Sequence, residues 1–436
     1  MIAKCKIEKT MSRLNIYTAS LFLMSAYALL NFAIVAVAQT DSNFEAPPIL
    51  YARDLAPPIL LNGNGFRVDN NVPTDGLTAN FTIHTELGML QAHGLEMLRI
   101  RVAEVPAMVE LQNTSKARVF AQSVVTSATG VVAAAGQMIL NPVATVKGMP
   151  GGVSRFFQRV GYGAQKITEA ATGSEEAPAG EKTVQVATRA GQAARDIFGF
   201  EQERRELAKR LKVDPYTSNP ILAEQIDDFA LTAFIAHVGV TTTIGLLVPG
   251  SMAVTATRMI SNMVWDTTKA DLIVMNQKKL EELPAPRQTI RMFMNNPAFP
   301  LSVQTTFVES LNHLGRVLGA IGVLSLASTT ESEDQARFLT DAVEMLAKYN
   351  ETQTPLTMLF SKRTIIGRDR TGAIIVPAEA DYVVWTPRMA SFATRPELAA
   401  AKRSLCLSGR MSPLAERNFE SLGWTINQNC RLMNIQ

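Results

Sequence analysis

The chain has 436 residues, 47% hydrophobic and 19% charged, with 42 Lys and Arg against 39 Asp and Glu. Four of the basic residues and one acid fall within the first 38 positions, so the remaining 398 residues carry 38 charges of each sign. Such a balanced chain, with no basic stripe interleaved with aromatics, has no electrostatic pull toward phosphate backbones, which argues against nucleic acid as a partner.

Residues 1–38 read as an export signal. Lys4, Lys6, Lys9 and Arg13 precede an uncharged stretch from Leu14 to Thr40, and Ala36-Val37-Ala38 supplies the small-x-small pattern that places cleavage before Gln39. The alternative is an uncleaved membrane anchor over residues 19–38, because about 20 apolar residues span a bilayer as a helix. Either way the chain is expected to work outside the cytoplasm, periplasmic or secreted. Of the three cysteines, Cys5 leaves with the signal. Cys406 and Cys430 then form an even pair with no Cys-x-x-Cys unit, expected to join as a structural disulfide in an oxidising compartment. Closing that loop contributes on the order of 3 kcal/mol in the chain-entropy model.

Residues 39–64 are expected to form an extended Pro-rich arm. Ala46-Pro-Pro-Ile-Leu50 recurs as Ala56-Pro-Pro-Ile-Leu60, and paired prolines favour polyproline II. Residues 65–93 alternate apolar and polar side chains over Phe66–Asp69, Leu77–Thr85 and Met89–His93, with turn chemistry at Asp75-Gly76 and Leu87-Gly88, which predicts a small antiparallel sheet.

Residues 94–360 read as a helical domain. Leu95, Leu98, Val102, Val105 and Val109 share a face, with Pro106 expected to kink or interrupt that helix. Asn141-Pro142, Asn219-Pro220 and Asn296-Pro297 each suit a helix start, Asn accepting from free amides and Pro lacking an amide that would go unpaired. Ala171–Lys182 has loop composition. Glu201–Lys212 reads as a solvated, salt-bridged helix with Leu207 and Leu211 on its inner face. Thr330 with Glu333 suggests a capping box before a helix that buries Phe338, Leu339, Ala342, Val343 and Leu346.

Two uncharged stretches, 119–146 and 229–257, are long enough to raise a membrane question. The first carries a polar stripe opposite its apolar face, and the second is rich in Thr and Gly, so buried helices of a soluble domain are the primary reading and membrane insertion the second.

The final segment, 361–436, is expected to hold a β-hairpin over Thr364–Ile366 and Ala373–Val376, with a third strand at Tyr382–Trp385. A short helix follows from Ser412-Pro413 to Gly423, and a strand at Trp424–Asn427 returns Cys430 toward Cys406. The predicted class is therefore α+β and predominantly α-helical, with a small N-terminal antiparallel sheet, a central helical bundle and a C-terminal hairpin plus helix.

No nucleophile elbow, phosphate-binding loop, dinucleotide fingerprint or zinc-protease helix occurs. The candidates for chemistry are sparse. His84 and His93 lie on neighbouring strands near Glu86 and could share a metal, although strand-edge histidines are commonly plain surface residues. His237 falls in an apolar run and reads as a core histidine. His313 follows Glu309 and Ser310 by about one helical turn, the spacing of a base and nucleophile. Asp227 and Asp228, with Asp266 and Asp271, could gather as an acid and base pair, or simply mark where a buried segment meets water. The functional expectation is an exported, non-catalytic binding, structural or envelope-associated protein with a protein or envelope partner and no cofactor. A membrane-inserting or pore-forming protein and a hydrolase using the clustered carboxylates stand as alternatives.

Overall fold

The computed structural model describes residues 43–114, 199–235, 262–361 and 364–428. The export signal, the stretch 119–146, the loop 171–182, Asn141-Pro142, His237, Cys430 and all of 229–257 after residue 235 lie outside the described residues.

The N-terminal part opens with β1 (Ile49–Tyr51), α1 (Ala52–Leu55), a 3-10 turn (Pro58–Leu60), β2 (Asn62–Gly63), β3 (Phe66–Val68) and β4 (Asn71–Pro73). β5 (Asn80–Thr85) and β6 (Gly88–His93) follow. The sheet runs β2-β3-β5-β6, antiparallel throughout, and β1 pairs separately with β4. The period-two alternation does what it should: Phe66, Val68, Phe81, Ile83, Leu90 and Ala92 all bury on one side. The Pro-rich repeat departs from a uniform arm. Its first copy runs into β1, and its second tightens into the 3-10 turn, because Pro58 leads that turn and Leu60 is drawn into the core.

Helix α2 (Leu95–Asn113) covers the sheet with Leu98, Val102 and Val105, and it continues through Pro106 without a break. A helix over residues 199–211, α3, and α4 (Pro220–Ile235) complete this core through Leu207, Leu211, Leu222 and Ile226. Asn219 caps α4 as expected, its Oδ1 accepting from the amides of Ile221 at 3.2 Å and Leu222 at 3.4 Å.

After α5 (Asn262–Asp266), whose Val264 packs in a small separate cluster with Tyr216 and Leu272, a second core is built by α6 (Lys269–Glu281), α7 (Arg287–Met294), α8 (Leu301–His313), α9 (Ala320–Ser328) and α10 (Glu333–Thr352). Phe293, Phe299 and Phe307 meet at centroid separations of 4.9 to 5.5 Å, a geometry that adds to the area each ring buries. Two helix starts differ from the sequence expectation. Ser332, not Thr330, caps α10, accepting from the Gln335 amide, while the Thr330 hydroxyl donates to the Leu326 carbonyl of the preceding helix. Asn296-Pro297 makes a turn rather than a helix start: Asn296 Oδ1 accepts from the Ala298 amide, and α8 begins only at Leu301.

The C-terminal part is more than a hairpin. β7 (Leu356–Ser361), β8 (Ile365–Asp369), β9 (Ile374–Ala378), β11 (Arg403–Leu407) and β13 (Trp424–Asn427) form a five-stranded sheet, with β10 (Tyr382–Val383) and β12 (Arg410–Met411) as a separate parallel pair. The sheet order is β13-β11-β9-β8-β7. β7, β8 and β9 are antiparallel, whereas β9, β11 and β13 are parallel. The parallel strands are joined by crossovers that carry α11 (Pro387–Ala393) and α12 (Pro413–Ser421), as parallel pairing requires. Ile375 faces the helices of the second core, while Ile374 and Val376 face a third cluster with Leu405, Leu407 and Phe419. The molecule is thus mixed α+β, and among the described residues no helix is long and apolar enough to cross a membrane.

The edge strand β7 is covered by the loop before α9, where the Leu359 amide donates to the Leu318 carbonyl at 2.6 Å. Gly319 makes this approach possible. Its φ is +93°, and a Cβ there would stand 2.1 Å from the Leu359 carbonyl oxygen. Gly319→Ala is expected to lower the urea midpoint by the equivalent of about 2 kcal/mol or more at unchanged m-value, and a variant as stable as the parent would show that the loop does not close on β7.

Candidate functional site

The residues singled out from the sequence are dispersed. In the β5–β6 register His84 sits opposite Met89 and His93 opposite Asn80, so the two histidines lie at opposite ends of the pairing. Four positions at about 3.3 Å each separate them by roughly 13 Å. His84 Nε2 contacts Asp69 Oδ1 at 2.9 Å and His93 Nδ1 contacts Asn80 Oδ1 at 2.6 Å. Among the described residues no group of His, Cys, Asp and Glu is placed to hold a metal ion. His313 pairs with Glu351 at 2.6 Å while Glu309 pairs with Lys279, so the helical triple Glu309-Ser310-His313 is drawn apart by other partners.

Nor do the aspartates converge. Asp227 receives the Arg204 Nε–H at 2.6 Å, Asp266 receives Lys209, and Asp271 closes a cap with Thr268. Burial pushes the Asp227 carboxyl up, against the pull of Arg204. Asp228, beside it on α4, also has interactions of its own. Both Asp227 and Asp266 hold down α3, which explains the charged run of Glu201–Lys212 as an ion-paired surface.

A concavity lies elsewhere. A cleft of about 600 Å³ opens where the carboxyl ends of the parallel strands β9 and β11 meet the N-terminal sheet and the start of α10. Ala378, Glu379 and Ala380 bring β9 into it, and Leu407 brings β11. This is where open sheets with parallel strands and helical crossovers expose a crevice, since successive connections there diverge. Arg388, Met389 and Phe392 of α11 line it with Arg395 just beyond; the N-terminal part contributes Asp75, Leu77, Asn80 and His93, and α10 contributes Asp334 and Phe338. Only His93 among these was a candidate from the sequence. The rest carry no motif, because the cleft is assembled from segments about 300 residues apart.

The closing contact is Asp381, buried between β9 and β10. Its Oδ2 accepts from the Ala79 amide at 2.8 Å and its Oδ1 from the Leu95 amide at 2.9 Å, capping α2 from a distant part of the chain. Burial pushes the Asp381 carboxyl up, with the two amides and Arg99 opposing. Around it the Asp381 and Tyr382 amides donate to the Leu77 carbonyl, and the Gly409 amide donates to the Ala380 carbonyl. A Cβ on Gly409 would stand 2.3 Å from the Asp381 carbonyl oxygen, so the β12 side of the junction needs glycine for close approach. Glu45 adds a further tie, accepting from the Trp385 amide at 2.7 Å and from the Ser412 hydroxyl at 2.5 Å.

A second buried polar assembly also escaped the sequence reading. Glu104 accepts from Arg101 at 3.0 Å, from the Asn219 amide group at 2.9 Å and from the Thr217 hydroxyl. Ser218 links Arg101 to Glu333, which also receives Arg337 at 2.8 Å. Nearby, burial pushes the Asp214 carboxyl up, with the Ser302 hydroxyl and Tyr216 amide opposing.

Compared with protein-family models, with curated proteins and with solved structures, the chain matches none.

Asp381→Ala strands the buried Ala79 amide and the part-buried Leu95 amide; with about 1–3 kcal/mol for the first and less for the second, a loss of about 2–4 kcal/mol is expected in denaturant melts. Asp381→Asn isolates the titration. A carboxyl whose pKa is higher folded than unfolded makes the folded state bind the extra proton, so the wild type gains stability over the Asn variant as pH falls from the folded pKa toward about 3.9. A stability difference that is flat or shrinks on acidification would refute the buried, proton-retaining carboxyl.

Proposed function

We propose that the mature chain is an exported, non-catalytic binding protein that holds a small or chain-like ligand in the cleft at the carboxyl ends of β9 and β11. The observation that carries this reading is the cleft itself, about 600 Å³ and lined by both apolar and charged side chains. That size lies within the range of about 300–1,000 Å³ usual for ligand pockets. Asp227 and Asp228, the carboxylates on which a hydrolase would rest, do not line it.

Thermal unfolding of the purified chain against fatty acids, sugars, amino acids and short peptides tests the proposal. At least one class is expected to raise the melting temperature, since ligand at a hundred times its Kd adds about 2.7 kcal/mol. Ser391 is exposed on α11 and lines the cleft, so Ser391→Trp fills the space from the surface. It is expected to abolish the shift while leaving the unliganded melting temperature unchanged. Stabilisation by no compound, or by one indifferent to Ser391→Trp, defeats the reading.

Export is the second half of the proposal. The register of β11 on β13 supports the disulfide, because Cys406 stands opposite Asn427, three residues before Cys430. Intact mass of chain recovered from an exporting host is expected to correspond to a start at Gln39, with no reactive thiol after denaturation. A product that retains Met1, or that titrates two thiols, would overturn export with cleavage and the disulfide.

A further inference from the structure

We infer that the cleft takes a zwitterionic ligand with an apolar body, and specifically a short peptide with free termini; this rests on the reading of the cleft as a binding site. The lining carries charge of both signs. One wall presents Arg388 and Arg395, and the Arg395 guanidinium is held 5.5 Å above the Phe392 ring. Other segments bring carboxylates to the lining: Asp75, fixed in its turn by the Leu77 and Thr78 amides at 2.9 and 2.7 Å, Asp334 in the first turn of α10, and Glu379 after β9. The salt bridges among the described residues engage none of Arg388, Arg395, Asp75 and Asp334. The same walls carry Leu77, Phe338, Met389 and Phe392, each only partly buried.

A simple anion would satisfy the arginines and meet repulsion from the aspartates, and a simple cation would meet the reverse. A neutral apolar ligand would strip water from charges without replacing it, which costs free energy. Opposite charges at the two ends of one molecule answer both sets, and apolar side chains between them cover the half-buried rings and methyls. A free carboxylate suits arginine's forked donors, and an ammonium suits the carboxylates.

Calorimetric titration of the full mature chain with tripeptides built from Ala, Leu and Phe, their N-acetylated forms, their C-terminal amides, and decanoate tests this. The free tripeptides are expected to bind, and blocking either end to weaken binding about tenfold or more. Arg388→Gln with Arg395→Gln is expected to erase the difference between free and amidated peptide only. Asp75→Asn with Asp334→Asn is expected to erase the difference between free and acetylated peptide only. Blocked peptides that bind as well as free ones, differences that survive these variants, or binding of decanoate alone would overturn the zwitterion while leaving the cleft as a binding site. Silence from every probe overturns the peptide, and it takes the binding reading with it only if the thermal panel is also silent.

Discussion

The fold closes on a single buried carboxylate. Asp381 spends both of its oxygens on backbone amides that belong to the other end of the chain, one entering β5 and one opening α2. A buried charge or buried amide is tolerated only when hydrogen-bonded, so neither side of this contact is satisfied until the N-terminal sheet has docked on the C-terminal strands. The raised pKa of the group follows from the same geometry: burial outweighs the two donated hydrogens and the distant Arg99. Oδ2 also fixes a neighbour of the cleft, because the lining residues Leu77, Thr78 and Asn80 flank Ala79, and Ala380, just before the aspartate, lines it as well.

The assembly around Glu104 acts as a second tie at a different level of the molecule. It joins α2, the 217–219 turn and the first turns of α10 through Arg101, Ser218, Glu333 and Arg337. Removing one partner from such a buried ionic group leaves an uncompensated charge, so the group specifies one arrangement more than it adds to stability. Glu333 is the residue before Asp334. The wall of the cleft contributed by α10 is therefore set by an ionic network that does not itself touch the cleft.

Much of this architecture is legible in the sequence where a pattern is local. The alternation of Phe66 to His93 predicts the N-terminal sheet, the face of Leu98, Val102 and Val105 predicts α2, and Asn219-Pro220 marks the start of α4. The hairpin of β8 and β9, the helix after Ser412 and the strand at Trp424 are also readable. Misplaced features have physical causes. Thr330 looks like a cap because its spacing to Glu333 fits, yet Ser332 offers the same chemistry two residues later and Thr330 is taken by the end of α9. The parallel pairing of β9, β11 and β13 is invisible locally, because short strands separated by 24 and 16 residues give no register signal until their crossovers are known. The site was hardest of all to read: Arg388, Asp75 and Asp334 have ordinary surroundings in the sequence, and only tertiary closure makes them neighbours of one cavity.

The two buried ties also bear on how the cleft can work. A site whose walls come from three distant segments would ordinarily lose affinity to the ordering of those walls on binding. Here the ordering is done at folding. Asp381 fixes the β5 side, the Glu104 network fixes α10, and α11 is held from beneath by Trp424, whose indole donates to the Ala393 carbonyl at 3.1 Å and stacks on the Phe392 ring at 6.0 Å between centroids. The residues left to respond to a ligand are then the exposed Arg388 and the half-buried rings and methyls that line the walls. These side chains can change rotamer without moving the backbone, so recognition falls to the side chains and shape to the buried polar ties.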